Sequence, residues 1–251
     1  MRKNSTNNTL LSAHYLNNKQ IDNICNVITD RYTEKKLEEG KIVRQIDIED
    51  LAINFLGCNI VYENINEEED CLGFLSDGIV PLPVIRNGRK VEIVFPKDTI
   101  VIDNYLNFPK QLNRKRFTIA HEAGHVVKNR MYNISRPEYS HEGGIILESA
   151  PALHRRYSYK EVESNRFAAS LLMPEGTVAM LMHKLFEDKK IIKYPGNILS
   201  GEDTDTVSSM AKFFGVSYSA MVYRLKDLGY FEDGELETYV EDNVLGEPQN
   251  E

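Results

Sequence analysis

His121, Glu122 and His125 have the clearest chemical potential in this chain, within the stretch His-Glu-Ala-Gly-His. On an α-helix, side chains four residues apart lie on one face, so both imidazoles can bind the same zinc ion. The glutamate beside the first histidine can then act as a base toward a water molecule at the metal. The motif indicates a zinc hydrolase, most often a peptidase, but such residues also occur on ordinary helices and the surrounding sequence has to decide.

The surrounding sequence predicts that this motif lies in the middle of a helix. Residues 114–120 contain neither glycine nor proline, and the helical pattern continues to about Arg130. Phe117 and Gly124 fall on the same side as the histidines. An aromatic ring there can wall a site, and a residue without a side chain lets another segment come close, as a buried metal requires.

A hydrolytic zinc site usually takes three protein ligands and leaves the fourth position to water. The extended metzincin motif is excluded, because Lys128 and Met131 stand where that motif requires glycine and histidine. The region that best supplies a third ligand is 159–172, which is predicted to form a helix stopped by Pro174.

Two side-chain stripes run along this second helix. One contains Glu161, Asn165, Ala168 and Leu172, and the other contains Glu163, Phe167 and Ser170. A glutamate and an amide one turn apart can supply a carboxylate ligand and a group that orients another ligand. We therefore predict Glu161 as the third ligand, with two alternatives open. Ser158 and Glu161 also match a capping box, in which the glutamate satisfies a backbone N–H, and Glu163 could be the ligand instead.

Taken together, the two segments resemble the ImmA/IrrE-like metallopeptidases of bacteria and their mobile elements. The resemblance rests on residues 116–125, Arg-Phe-Thr-Ile-Ala-His-Glu-Ala-Gly-His, and on residues 161–174, which run from Glu161 to Met-Pro. It extends loosely over residues 15–231. Ser164 stands where alanine is usual, a change from one small residue to another.

The resemblance implies a zinc-dependent endopeptidase of gluzincin type that binds one Zn²⁺ per chain. His121, His125 and Glu161 would be the metal ligands and Glu122 the catalytic general base. The best-known members of the family cleave a helix-turn-helix repressor and so switch on genes of a mobile element or a stress response. A repressor of that class is the implied protein partner. The alternative function is a non-catalytic regulator that binds a repressor or DNA.

The remaining patterns predict an α+β fold, with a small antiparallel-rich sheet packed on a helical zincin core. A helix covers about 21–40, and Asp47 can cap a short second helix that runs to Gly57. The predicted strands are 59–64, 84–85, 91–95 and 99–103, with a hairpin turn at Asn87-Gly88. An edge of the sheet could hold an extended peptide beside the metal. Another helix, 177–187, is followed by a polar loop over about 189–203.

The C-terminal part contains a pair of helices that resembles a helix-turn-helix motif, predicted at 206–229 around Gly215-Val216-Ser217. Its second helix carries only Arg224 and Lys226 as basic residues, and the net charge of the chain is −8. Contact with phosphates would therefore be repulsive, and no direct binding to nucleic acid is expected. We interpret the pair as core or as a surface that docks a protein.

These patterns divide the chain into a disordered leader at 1–13, a metallopeptidase domain at 14–231 and an acidic tail at 232–251. The sequence contains no apolar run long enough for a membrane span and no signal peptide, so we expect a cytoplasmic protein without a membrane partner. Three widely spaced cysteines argue against disulfides and against thiolate zinc. The group that stabilises the oxyanion stays undecided among His141, His154, Tyr157 and Tyr159.

Overall fold

A computed structural model describes residues 16–65, 71–132 and 159–245. The first helix, α1, spans Asn18–Glu38, and Asn17 caps it reciprocally with Gln20. The short helix α2, Ile48–Asp50, continues into one π-helical turn, Leu51–Phe55. As the sequence predicted, Asp47 caps α2 by accepting the backbone N–H of Asp50. The leader predicted at 1–13 lies outside the described residues.

A three-stranded sheet follows, with the strand order β1-β5-β2. These strands are β1 Asn59–Glu63, β2 Gly73–Ser76 and β5 Thr99–Asp103. Strand β5 pairs parallel with β1 and antiparallel with β2, and all five of its residues are buried. The central strand thus forms part of the core, as expected for a run of apolar residues enclosed on both faces.

A separate antiparallel hairpin contains β3 Leu82–Arg86 and β4 Arg89–Ile93. Asn87 and Gly88 form its turn with φ values of 52° and 68°. A two-residue hairpin turn with positive φ at both positions is the type that Asn-Gly favours, because these residues tolerate that backbone conformation best. The predicted hairpin and the α+β class are therefore confirmed.

The helix that carries the two histidines, α3, spans Leu112–Met131, and α4 spans Tyr159–Leu172. Helix α4 packs against both α3 and α1. Ile21 and Cys25 of α1, Ile119 of α3, and Phe167 and Leu171 of α4 have no exposed surface. The histidine helix is therefore held in the main hydrophobic core, at the contact between α3 and α4.

The C-terminal part consists of α5 Glu175–Phe186, β6 Ile191–Lys193, α6 Gly201–Phe214, α7 Tyr218–Asp227, β7 Phe231–Asp233 and α8 Leu236–Asn243. Strands β6 and β7 pair in parallel. The prediction of a polar loop over about 189–203 is therefore wrong at 191–193, which form β6, and from 201 on, where α6 begins. Three residues are too few to show an alternating pattern, and β6 is recognisable only through its pairing with β7. Helix α6 begins at Gly201, where Ser200 accepts the N–H of Asp203.

The turn between α6 and α7 is attached to the start of α3. Arg116 donates hydrogen bonds to the carbonyl oxygens of Phe214 and Gly215, at 3.2 and 3.1 Å. Asn113 donates to the carbonyl of Val216 at 3.1 Å. Helix α7 is attached as well, because Arg224 is buried and lies 2.7 Å from a carboxylate oxygen of Asp22 in α1. The helix pair is thus packed onto the histidine helix and α1.

Among the described residues, no helix has both the length and the apolar character needed to cross a membrane.

An ionic contact joins α1 to α2. The carboxylate of Asp50 lies 2.6 Å from the ammonium of Lys36, and accepts hydrogen bonds from Tyr32 at 2.8 Å and Asn54 at 2.9 Å. Burial opposes ionisation of Asp50, but these three partners outweigh it and lower its pKa to about 2. Because the folded-state pKa lies below that of the unfolded chain, ionised Asp50 stabilises the fold.

We expect Asp50→Asn to lower the free energy of unfolding by about 1 kcal/mol at pH 7, a modest value because the contact is partly screened by solvent. This loss of stability relative to the parent should reach its full size above about pH 4 and should become smaller as the pH falls toward 2. Urea unfolding at pH 7 and pH 3 measures it, with Asp30→Asn as a control on an exposed aspartate of α1. An equal loss at both pH values would contradict the ionic explanation.

Candidate metal centre

The candidate metal centre contains the two histidines of α3, which lie one helical turn apart as their spacing predicts. Their Nε2 atoms are 3.2 Å from each other, and the rings meet edge to face with centroids 4.9 Å apart. His121 is buried, and the side chain of His125 is 23% exposed. Two ring nitrogens therefore converge on one point, next to a side chain that is partly exposed.

Glu161 of α4 supplies the third group. Its Oε2 atom lies 3.1 Å from Nε2 of His121, and its Oε1 atom lies 3.7 Å from Nε2 of His125. One potential ligand atom from each of the three residues lies within 4.8 Å of the others, so the group could hold a metal ion. The structure therefore places Glu161 beside the two histidines, and its role as the third metal ligand stays a prediction.

The alternative carboxylate, Glu163, has a different environment. It forms an ion pair with Lys128 of α3 and accepts the backbone N–H of Leu16 at 2.6 Å. Glu163 is 1% exposed and Lys128 is 7% exposed, so the pair connects α3 and α4 inside the protein. The structure therefore brings Glu161, and not Glu163, to the histidines. Ser158, the proposed start of the competing capping box, lies outside the described residues.

Both histidines are also held through their second ring nitrogens. Nδ1 of His121 is 2.9 Å from the side-chain oxygen of Asn165, and Nδ1 of His125 is 3.1 Å from Oγ of Ser164. The Asn165 contact agrees with the predicted orienting amide, whereas the Ser164 contact was missed. Its signal was the spacing, because Ser164 lies three residues after Glu161 and so faces the same side of α4.

Gly124 explains how α4 comes close enough to make these contacts. A Cβ atom added to Gly124 would lie 2.6 Å from Cβ of Phe167 and 3.5 Å from the backbone oxygen of Ser164. A separation below 3 Å between carbon atoms is a severe clash, so alanine here would push the two helices apart. The expected role of this glycine, close approach of another segment, is confirmed.

The ionisable groups favour a positive charge at the centre. Burial opposes protonation of His121, but Glu161, Glu122 and Asn165 outweigh it and raise its pKa. Burial raises the pKa of Glu122 to about 7, with the charge of His121 opposing this shift and that of Glu161 adding to it. A cation placed between these groups would lower the pKa values of both His121 and Glu122. Its positive charge would stabilise the two carboxylates in place of a proton.

The donor set and its dimensions also fit zinc. Two imidazole nitrogens and a carboxylate are a frequent ligand set of catalytic zinc. With metal–ligand bonds of about 2.0–2.1 Å, neighbouring ligand atoms of a tetrahedral site lie about 3.3 Å apart. Two separations fall near that value: 3.2 Å between the Nε2 atoms of the histidines, and 3.1 Å between Nε2 of His121 and the nearer oxygen of Glu161. The 3.7 Å contact with His125 is made by the other oxygen of Glu161. Three of the residues predicted for oxyanion stabilisation, His141, His154 and Tyr157, lie outside the described residues, as does the side chain of the fourth, Tyr159.

Substitution of each glutamate should distinguish the two carboxylates. We expect Glu161→Ala to lose most of its zinc while staying folded. Glu163→Ala should keep its zinc in the folded fraction but should be less stable by about 3 kcal/mol, because Lys128 would remain buried without this carboxylate. Metal content after gel filtration and unfolding in urea measure the two effects. If Glu163→Ala alone lost the metal, Glu161 would be the wrong assignment.

A comparison with known protein families agrees with this geometry. The family model described as Peptidase_M78, IrrE N-terminal-like domain, matches residues 100–226, which is just over half of the chain. The match begins within β5, includes both helices of the centre and ends within α7. A search of curated proteins gave no match. On this match, the chain belongs to the M78 peptidase family, the ImmA/IrrE family of zincin-like metallopeptidases.

Proposed function

We propose that this protein is a zinc-dependent endopeptidase whose metal is held by His121, His125 and Glu161. The observation that carries the proposal is the convergence of these three residues, with their ligand atoms within 4.8 Å of one another. Membership of a metallopeptidase family supports the same reaction class. The exposed part of His125 supports access from solvent for a substrate.

In the proposed mechanism, His121, His125 and Glu161 would hold a zinc ion, whose Lewis acidity would act on the attacking water and the scissile carbonyl. Glu122 is the general base: its carboxylate takes a proton from the attacking water and passes it to the nitrogen of the departing amine. Asn165 and Ser164 contact the Nδ1 atoms of the two histidines, at 2.9 and 3.1 Å, and would keep the Nε2 atoms directed at the centre.

We further propose that the substrate is a helix-turn-helix transcriptional repressor, whose cleavage would derepress genes of a mobile element or a stress response. The resemblance to ImmA/IrrE proteins supports this substrate class. The net charge of −8 is also suited to a basic, DNA-binding substrate, because opposite charges accelerate encounter.

The test is co-incubation of the zinc-loaded protein with any helix-turn-helix repressor that is encoded beside its gene. We expect a discrete cleavage that a chelator prevents and that zinc restores, with the cleaved bond identified by mass spectrometry. An intact repressor whose target genes are nevertheless switched on by the metal-free protein would support the non-catalytic alternative.

A second candidate function is DNA binding, because the helix pair α6–α7 resembles a helix-turn-helix motif. The basic residues of its second helix argue against this function. Arg224, one of two basic residues in α7, is 3% exposed and is paired with Asp22. We expect mobility shifts with promoter fragments to show no sequence-specific binding at physiological salt, because DNA binding requires a basic surface. Tight and selective binding would reverse the ranking of the two candidates.

A further inference from the structure

Ser164 occupies a position in α4 from which it can control one of the two histidines. It has no exposed surface, and its Oγ atom lies 3.1 Å from Nδ1 of His125. Ser164 and Asn165 lie three and four residues after Glu161, so one face of α4 presents all three to α3. Three side chains from one helical turn thus contact the histidine pair.

The chemistry of a neutral imidazole explains what such a contact does. A histidine that binds a metal through Nε2 carries its hydrogen on Nδ1, and that N–H is normally donated to an acceptor which fixes the ring orientation and the tautomer. Asn165 offers the acceptor for His121, and the hydroxyl oxygen of Ser164 offers one for His125. Consecutive residues of α4 would then orient both metal ligands of α3.

We propose that Ser164 is a positioning residue that holds His125 as the Nδ1–H tautomer, with Nε2 directed at the metal centre. This inference rests on the proposed metal-binding function. The hydroxyl of Ser164 is a neutral acceptor, and hydrogen bonds between neutral groups are about half as strong as those to a carboxylate. The expected effect of losing Ser164 is therefore at the lower end of the 10–100-fold range that orienting partners contribute to metal affinity.

The test compares Ser164→Ala with Ser170→Ala. Ser170 is a matched control, because it is also a buried serine of α4 but donates its hydrogen bond to Asp22, at 2.6 Å. We expect Ser164→Ala to weaken zinc binding about tenfold in competition with a chromophoric chelator. Its stability without metal should be unchanged or slightly raised, because alanine favours a helix more than serine does. Ser170→Ala should lose stability and keep the zinc affinity of the parent.

Nitrogen-15 NMR of the His125 ring, recorded on metal-free protein at pH 8, provides a readout that does not depend on zinc. The parent should show a larger population of the Nδ1–H tautomer than Ser164→Ala, because the variant loses the acceptor at Nδ1 while the Glu161 carboxylate near Nε2 continues to favour Nε2–H. The inference is overturned if Ser164→Ala keeps both the zinc affinity and the tautomer of the parent, or if Ser170→Ala weakens zinc binding equally. If the parent itself bound no zinc, the proposed function would fail, and the tautomer measurement would still decide the role of Ser164.

Discussion

Glu122→Gln should fold, keep about one zinc per chain and still bind its substrate, but should cleave it at least about a hundredfold more slowly. Glutamine has nearly the same volume and can still form hydrogen bonds, but its amide cannot accept a proton from water at neutral pH. Because Glu122 is 6% exposed and adjoins His121, a substitution that conserves its volume is needed to keep the packing of α3.

Metal content, substrate pull-down and the cleavage rate should be measured on the same preparation. Glu49→Gln is a suitable control, because Glu49 is a partly exposed glutamate of the same charge whose contact is with Lys115. A Glu122→Gln protein that cleaved at the parental rate would refute the role of general base. If it cleaved nothing but still switched on the partner's target genes in cells, sequestration of the repressor would replace proteolysis as the mode of action.

His125→Ala should lose most of its zinc, with an affinity reduced by at least about a hundredfold. Loss of a partner that merely orients a ligand already costs 10–100-fold, and a direct ligand must contribute at least as much. Only His121 and Glu161 would remain as ligands in this variant. Without a bound metal, the carboxylate of Glu161 favours the protonated form of His121, and a proton on that ring competes with zinc.

Zinc content after dialysis against a weak chelator measures this effect, and His183→Ala is the matched control. His183 lies on α5 with 76% of its side chain exposed, and its partner is Asp188. Full zinc retention by His125→Ala would refute the assigned ligand set. Equal loss from His183→Ala would indicate that the measured zinc is bound elsewhere.

Local backbone rules account for the features that the sequence predicted well. The spacing of His121 and His125 directs both to one side of a helix because an α-helix repeats every 3.6 residues. Asp47 could be predicted as a cap because its side chain satisfies an N–H only three residues away. The turn at Asn87-Gly88 follows from the tolerance of these two residues for positive φ. Each signal depends on neighbours within a few residues, so the sequence by itself determines it.

Contacts between distant segments account for what the sequence left open. Glu161 and Glu163 are only two residues apart, and the rotation of α4 against α3 places one beside the histidines and the other beside Lys128. The same rotation turns Ser164 toward His125. The register of this packing depends on Gly124 and Phe167, residues more than forty positions apart. Which side chain enters the site is therefore set by how two helices pack, and no local pattern in either helix specifies that angle.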